Sequence, residues 1–129
     1  MVIKVIKKLR IEFRYVDRDM CSRCRATDKN VKRTVQELRK ALQESGFVVD
    51  FKTTKLPLSK LAQSNSILIN GEDIEKIVNG KKKVRSSACR GCGKILKSAC
   101  NCRAYIYRGR KYPYVPRAMI REAIHNSLK

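Results

Sequence analysis

Apolar and polar positions alternate first at Ile11, Phe13 and Tyr15 against Glu12 and Arg14, the period of a strand with one face buried. This predicts a strand over about residues 9 to 16. The stretch from Asp17 to Asp28 is polar and reads as a loop. Beyond it, Val31, Val35, Leu38 and Leu42 recur at helical spacing and put one apolar stripe on a helix from about Asp28 to Ser45, with Gly46 as its stop. Phe47-Val-Val-Asp-Phe51 follows as a second strand. A strand, helix, strand unit with short connections predicts a parallel pair with a right-handed crossover.

Downstream, Leu56-Pro-Leu58 is extended, residues 58 to 63 have the pattern of a short helix, and Ile67-Leu-Ile69 is a buried strand that runs into Asn70-Gly71. Asn-Gly is a strong hairpin signal, so residues 72 to 78 are expected to pair back briefly. Ala104-Tyr-Ile-Tyr107 is a further strand with a turn at Arg108-Gly109. Pro116 opens a last helix over residues 117 to 128, whose stripe is Ile120, Ala123, Ile124 and Leu128.

Composition bounds this pattern. The 129 residues suffice for one domain with a modest core, and 43% hydrophobic residues exclude a disordered polymer. No linker or internal repeat divides the chain, so residues 1–129 read as one domain with a cysteine-rich insertion at 79–104. The N-terminus is too short and charged for a secretory signal, and no apolar run reaches membrane-spanning length, which predicts a soluble cytoplasmic protein.

Charge then narrows the partners. There are 31 basic and 11 acidic residues, a formal net charge of +20, and this field favours anions, with non-specific nucleic-acid binding among the consequences. Basic residues are spread along the chain, with runs at Lys7-Lys8, Lys81-Lys82-Lys83 and Arg108-Gly-Arg-Lys111. Tyr105, Tyr107, Tyr112 and Tyr114 interleave with the last of these. That pattern fits a stacking surface for single-stranded nucleic acid, but ordinary sheet packing is the preferred reading.

All six cysteines fall in three close pairs, Cys21 and Cys24, Cys89 and Cys92, Cys100 and Cys102. In a reducing compartment such pairs point to redox chemistry or metal binding rather than structural disulfides. Cys89-Arg-Gly-Cys92-Gly has the form of a zinc knuckle, and Cys100-Asn-Cys102 supplies a second pair. Zinc held by Cys89, Cys92, Cys100 and Cys102 is the first assignment, with disulfides or redox thiols and an iron–sulfur or soft-metal site as alternatives. Arg90, Lys94, Lys97 and Arg103 are expected to surround and neutralise these thiolates. His125, the one histidine, reads as a solvent-facing residue near a helix end.

Three stretches carry a family likeness: Ile11-Glu-Phe-Arg-Tyr-Val-Asp17 with Cys21-Ser-Arg-Cys24, then Ser66-Ile-Leu-Ile-Asn-Gly-Glu-Asp-Ile74, then Cys102-Arg-Ala-Tyr-Ile-Tyr-Arg-Gly-Arg-Lys-Tyr112 with Pro116 and Ile120 to Ile124 behind it. In these the chain resembles thioredoxin-like proteins, and more narrowly a family of small microbial thioredoxin-like domains of unknown function. The resemblance implies an α/β fold with a central mixed sheet flanked by helices, here with the cysteine-rich insertion before the last strand. It implies a redox dithiol in which Cys21 attacks a substrate disulfide and Cys24 resolves it, with a thiol or disulfide protein as partner. Arg18, Arg23, Arg25 and Lys29 make the surrounding loop electropositive, and because the apolar stripe starts at Val31, thiolate activation is expected to rest on these cations more than on a helix end unless residues 22 to 30 also wind into the helix. Where thioredoxins carry a cis-proline, this chain has Ser64-Asn-Ser66. The remaining readings are a non-enzymatic metal-binding protein and a basic nucleic-acid-associated module.

Overall fold

The computed structural model describes residues 7–16, 22–57, 59, 65–80, 85–88 and 101–128, with the backbone alone for residues 22, 23, 85–88, 101 and 102. Leu9, Ile11 and Phe13 point inward from β1 (Lys7–Tyr15), and the alternating residues face outward, as the period-two pattern requires. Next come α1 (Ser22–Glu44) and β2 (Phe47–Lys55), which pairs with β1 in parallel from Lys7↔Phe47 to Tyr15↔Lys55. β3 (Ser66–Ile69) runs antiparallel to β1, and β4 (Glu72–Asp73) antiparallel to β3. The central sheet is therefore mixed and four-stranded, in the order β2-β1-β3-β4.

Two hairpin turns fall where their residues predict. Asn70 and Gly71 have φ of 52° and 81°, and Arg108 and Gly109 have φ of 50° and 79°. Both central residues of each turn are left-handed, the type I′ geometry whose twist suits a tight hairpin. At the first turn the Asn70 side chain accepts a hydrogen bond from the Arg10 amide at 3.0 Å, fastening the turn to β1.

α2 (Ile74–Asn79) takes up most of the stretch expected to pair back, because the Asp73 side chain caps the Glu75 amide at 3.0 Å and Gly80 closes the helix with a φ of 79°. A second sheet follows, made of β5 (Arg85–Ala88), β6 (Asn101–Tyr107) and β7 (Arg110–Tyr112) in that order, both pairings antiparallel. Residues 104–107, expected in the central sheet, belong to this second one, and the central sheet's fourth strand is β4. Of the short helix expected at 58–63 the described residues include Ser59 alone, and the cysteine-rich stretch 89–100 lies outside them.

α3 (Arg117–Ser127) closes the chain, with Pro116 as its N-cap and Met119, Ile120, Ala123 and Ile124 buried. It packs against α1, α2 and β3, while α1 packs on β1 and β2. The core between helices and sheet is built from Leu9, Ile11, Phe13, Val31, Val35, Ile67, Ile69, Ile74, Ile120 and their neighbours.

One boundary differs from expectation in a way that matters for the chemistry. α1 starts at Ser22 rather than near Asp28, so the helix begins inside the CxxC motif. Its inward stripe continues upstream of Val31 through Thr27 and Cys24, both at 0% exposure. Two small side chains at spacings of four and three complete the face that Val31, Val35 and Leu42 begin, and tertiary burial overrides their indifferent helix propensity.

Candidate functional site

Residue by residue, the first turn of α1 is where the candidate dithiol meets the core. Cys24 is wholly buried in the main apolar cluster, and Arg25 and Lys29 on the opposite side are exposed. Cys21 lies outside the described residues, but it directly precedes Ser22, the first helical residue. The orphan amides and positive end of a 23-residue helix therefore begin at the motif itself. The expectation that the helix starts well beyond the motif is thus corrected: residues 22 to 30 are helical.

Behind this turn is a buried polar junction. Asn65, at 0% exposure, adopts a left-handed φ of 66° immediately before β3. Its side-chain oxygen accepts a hydrogen bond from the Thr27 hydroxyl, and its amide nitrogen donates to the Arg103 carbonyl at 3.1 Å and the Pro113 carbonyl at 3.0 Å. Its main chain is also engaged, donating to the Arg14 carbonyl at 3.0 Å and accepting from the Tyr105 hydroxyl at 2.5 Å. Thr27 in turn accepts from the Val115 amide at 3.1 Å, and the Asn30 side chain donates to the Val115 carbonyl at 2.9 Å. The first turns of α1 are thereby tied to the end of β1, the start of β3, β6 and the segment before α3. Asn is suited to the position, since it tolerates left-handed backbone and offers both a donor and an acceptor. No cis peptide occurs among the described residues, so a left-handed Asn65 stands where the resemblance would place a cis-proline.

Next to the junction, Arg103 is 1% exposed and sits in a cage of its own. Its guanidinium donates to both Asp73 carboxylate oxygens at 2.6 and 2.7 Å, to Ser66 Oγ at 3.1 Å and to Glu75 at 3.5 Å, and it lies 4.5 Å from the centre of the Tyr105 ring. Burial opposes the charge, but the Asp73 bonds and the neighbouring negative field outweigh it and hold the proton more firmly than on a free arginine. Arg103 was expected beside the cysteine thiolates. Its guanidinium faces the Asp73 and Glu75 carboxylates, which a fork-shaped cation can bind bidentately in a dry site, and the side chains of those cysteines lie outside the described residues. Burial pushes the Tyr105 phenol well above the ordinary tyrosine range.

Of the four downstream cysteines, Cys102 has a described backbone position, in β6 opposite Ser87. Cys89, Cys92 and Cys100, with Arg90, Lys94 and Lys97, lie outside the described residues. Among the described residues no group of His, Cys, Asp or Glu is arranged to hold a metal ion. His125 is exposed near the end of α3, as expected. Tyr105 and Tyr107 are buried while Tyr112 and Tyr114 meet edge to face at 5.9 Å, so the tyrosine pattern is largely packing. No described helix is long and apolar enough to cross a membrane.

Residues 9–124 match the family described as a domain of unknown function (DUF2703), which takes in all but the first two residues of the central sheet, both cysteine regions and most of α3. The chain belongs to this family. Neither the curated proteins nor the solved structures gave a match. The family boundaries run from the first core residue of β1, Leu9, to the last core residue of α3, Ile124. The Asn65 junction and the Arg103 cage fall inside them.

Proposed function

We propose that this DUF2703 domain is a thioredoxin-like thiol–disulfide exchange protein in which Cys21 is the nucleophile and Cys24 the resolving thiol. The observation that carries the reading is the start of α1 within the CxxC motif, with Cys24 wholly buried in its first turn. A nucleophile just ahead of a helix gains from the helix end and the nearby cations, and a buried second thiol is shielded until a mixed disulfide forms. The order of parallel β1 and β2 followed by antiparallel β3 and β4 also suits a thioredoxin-like core.

In the reaction the Cys21 thiolate attacks one sulfur of a substrate disulfide and expels the other as a thiolate. Cys24, giving up its proton, then attacks Cys21 and releases the second substrate thiolate. Two electrons pass from the dithiol to the substrate, the domain is left with a Cys21–Cys24 disulfide, and an external dithiol reductant restores it. The test uses an aryl disulfide that releases a coloured thiolate. Cys21→Ser is expected to abolish the fast phase, and Cys24→Ser to accumulate a mixed disulfide visible by intact mass. A Cys21→Ser protein as fast as the parent overturns the reading.

The same proposal gives Cys89, Cys92, Cys100 and Cys102 to a structural zinc ion. The β5–β6 pairing ends at Ala88↔Asn101, one residue short of Cys89 and of Cys100 in the sequence, and this supports assigning the two cysteine pairs to one metal. Metal content and free-thiol count on one native sample test it. Metal-free protein with all four thiols titratable would remove the zinc assignment.

A further inference from the structure

Strand β2 is an edge: among the described residues it pairs with β1 alone. It is long for an edge strand, nine residues, and it carries Val48 at 48% exposure, the one large apolar side chain among the described residues that is exposed rather than buried or partly buried. Unpaired main-chain groups on such an edge recruit another strand unless something prevents it. The Lys7 amide bonds the Gly46 carbonyl at 2.9 Å and the Leu56 amide bonds the Tyr15 carbonyl at 2.6 Å. In a parallel ladder with this register, the even-numbered residues of β2 turn their N–H and C=O groups towards β1. Phe47, Val49, Phe51, Thr53 and Lys55 therefore turn theirs outward.

An antiparallel partner must match outward groups with outward groups, so a second copy of β2 can meet the first only in registers spaced two residues apart. One of these overlaps the whole strand. It has its twofold axis at Phe51, with Phe47 opposite Lys55 and Val49 opposite Thr53 as hydrogen-bonded pairs. Between them fall the closer, non-hydrogen-bonded pairs, Val48 with Thr54 and Asp50 with Lys52. Each occurs twice by symmetry, so two Asp–Lys pairs flank the axis. Shifting the register one step either way sets Asp50 against Asp50 or Lys52 against Lys52.

We propose that the protein forms a twofold-symmetric dimer in which the β2 edges of two copies pair antiparallel about Phe51, with Asp50 of each copy opposite Lys52 of the other. The two four-stranded sheets become one continuous sheet. Asp50 is free to take part, since its contact to Lys8 is a 3.7 Å pair with both side chains about half exposed. The +20 charge of each copy opposes association, but it is spread over the chain and screened beyond about 8 Å at physiological ionic strength, whereas the Asp–Lys pairs act in contact.

Sedimentation equilibrium of the full chain at physiological ionic strength tests this, with circular dichroism to verify that each variant is folded. The parent is expected to be dimeric. Asp50→Lys and Lys52→Asp each replace two attractions by two repulsions, and each alone should weaken the dimer about tenfold or more. Mixing these two variants places Lys against Asp on both sides of the axis and should restore a dimer. Thr53→Pro removes an outward N–H that β1 does not use, so it should leave the fold intact and give a monomer. A monomeric parent overturns the proposal. So does a parent dimer that survives all three substitutions, since it must then use another surface.

Discussion

Asn65 combines a left-handed backbone with three side-chain hydrogen bonds, two buried and one part-buried, and a substitution series separates the two contributions. Asn65→Gly keeps the φ of 66° at no steric cost but deletes the bonds to Thr27, Arg103 and Pro113. At about 1 kcal/mol net for each, the loss is about 3 kcal/mol. Asn65→Ala loses the same bonds and adds about 1 kcal/mol for a Cβ in left-handed backbone. Asn65→Asp replaces the donating amide with a carboxylate oxygen facing two carbonyls, and is expected to be worse than Ala. Urea unfolding followed by circular dichroism reads the order directly. With a slope of about 2 kcal/mol per molar, the midpoint should fall by about 1.5 M for Gly and about 2 M for Ala. A Gly variant as stable as the parent would falsify the junction's energetic role, and an Ala variant at or above Gly would show that backbone strain is not part of it.

Removing the Arg103 guanidinium as Arg103→Met leaves the Asp73 and Glu75 carboxylates buried without their cation and should cost about 3–5 kcal/mol in the same urea assay; Arg103→Lys should recover little, because an ammonium cannot make the bidentate contact. Burial alone would raise the Glu12 carboxyl, but hydrogen bonds from Thr54 and Arg14 and the charges of Arg14 and Lys52 outweigh it and hold it below its ordinary value. Its contribution is therefore present above the ordinary glutamate range and lost as pH falls through the lowered value, so the stability gap between parent and Glu12→Gln should narrow on acidification; a gap that widens refutes this. In an alkaline titration of the five tyrosines, Tyr105 should ionise only as the protein unfolds, and Tyr105→Phe should lack that step of tyrosinate absorbance.

The pattern of apolar residues was enough to find β1, the body of α1, both hairpin turns and α3, because each is specified by neighbours along the chain. It stopped short at the start of α1, where Cys24 and Thr27 count as small or polar in a sequence yet complete the buried stripe. It also understated β2, whose Thr53, Thr54 and Lys55 look like loop but pair with Phe13, Arg14 and Tyr15. Of the candidate site, the cysteine motif was visible, but the residues behind it were not. Asn65 showed only as part of the Ser64-Asn-Ser66 stretch that stands in place of a cis-proline, and Arg103 looked like a cation beside cysteines. Their partners lie 30 or more residues away, at Thr27, Pro113 and Asp73, so only the folded chain brings them together. A positive residue in an alternating strand, two before a tyrosine on the same face, was the one available hint that Arg103 points inward.

The junction at Asn65 also bears on the order in which the chain assembles. Its bonds join residues 38, 48 and, through Thr27 and Val115, 88 positions apart. The parallel β1–α1–β2 unit can form from a continuous stretch, but this corner must wait until β3, β6 and the segment before α3 have all arrived. Contacts closed last are absent from the folding transition state, so weakening them should speed unfolding and leave folding rates nearly unchanged. The turn that carries Cys24 leads directly into Thr27, so an opening of this corner frees one side of the turn in which the buried thiol sits.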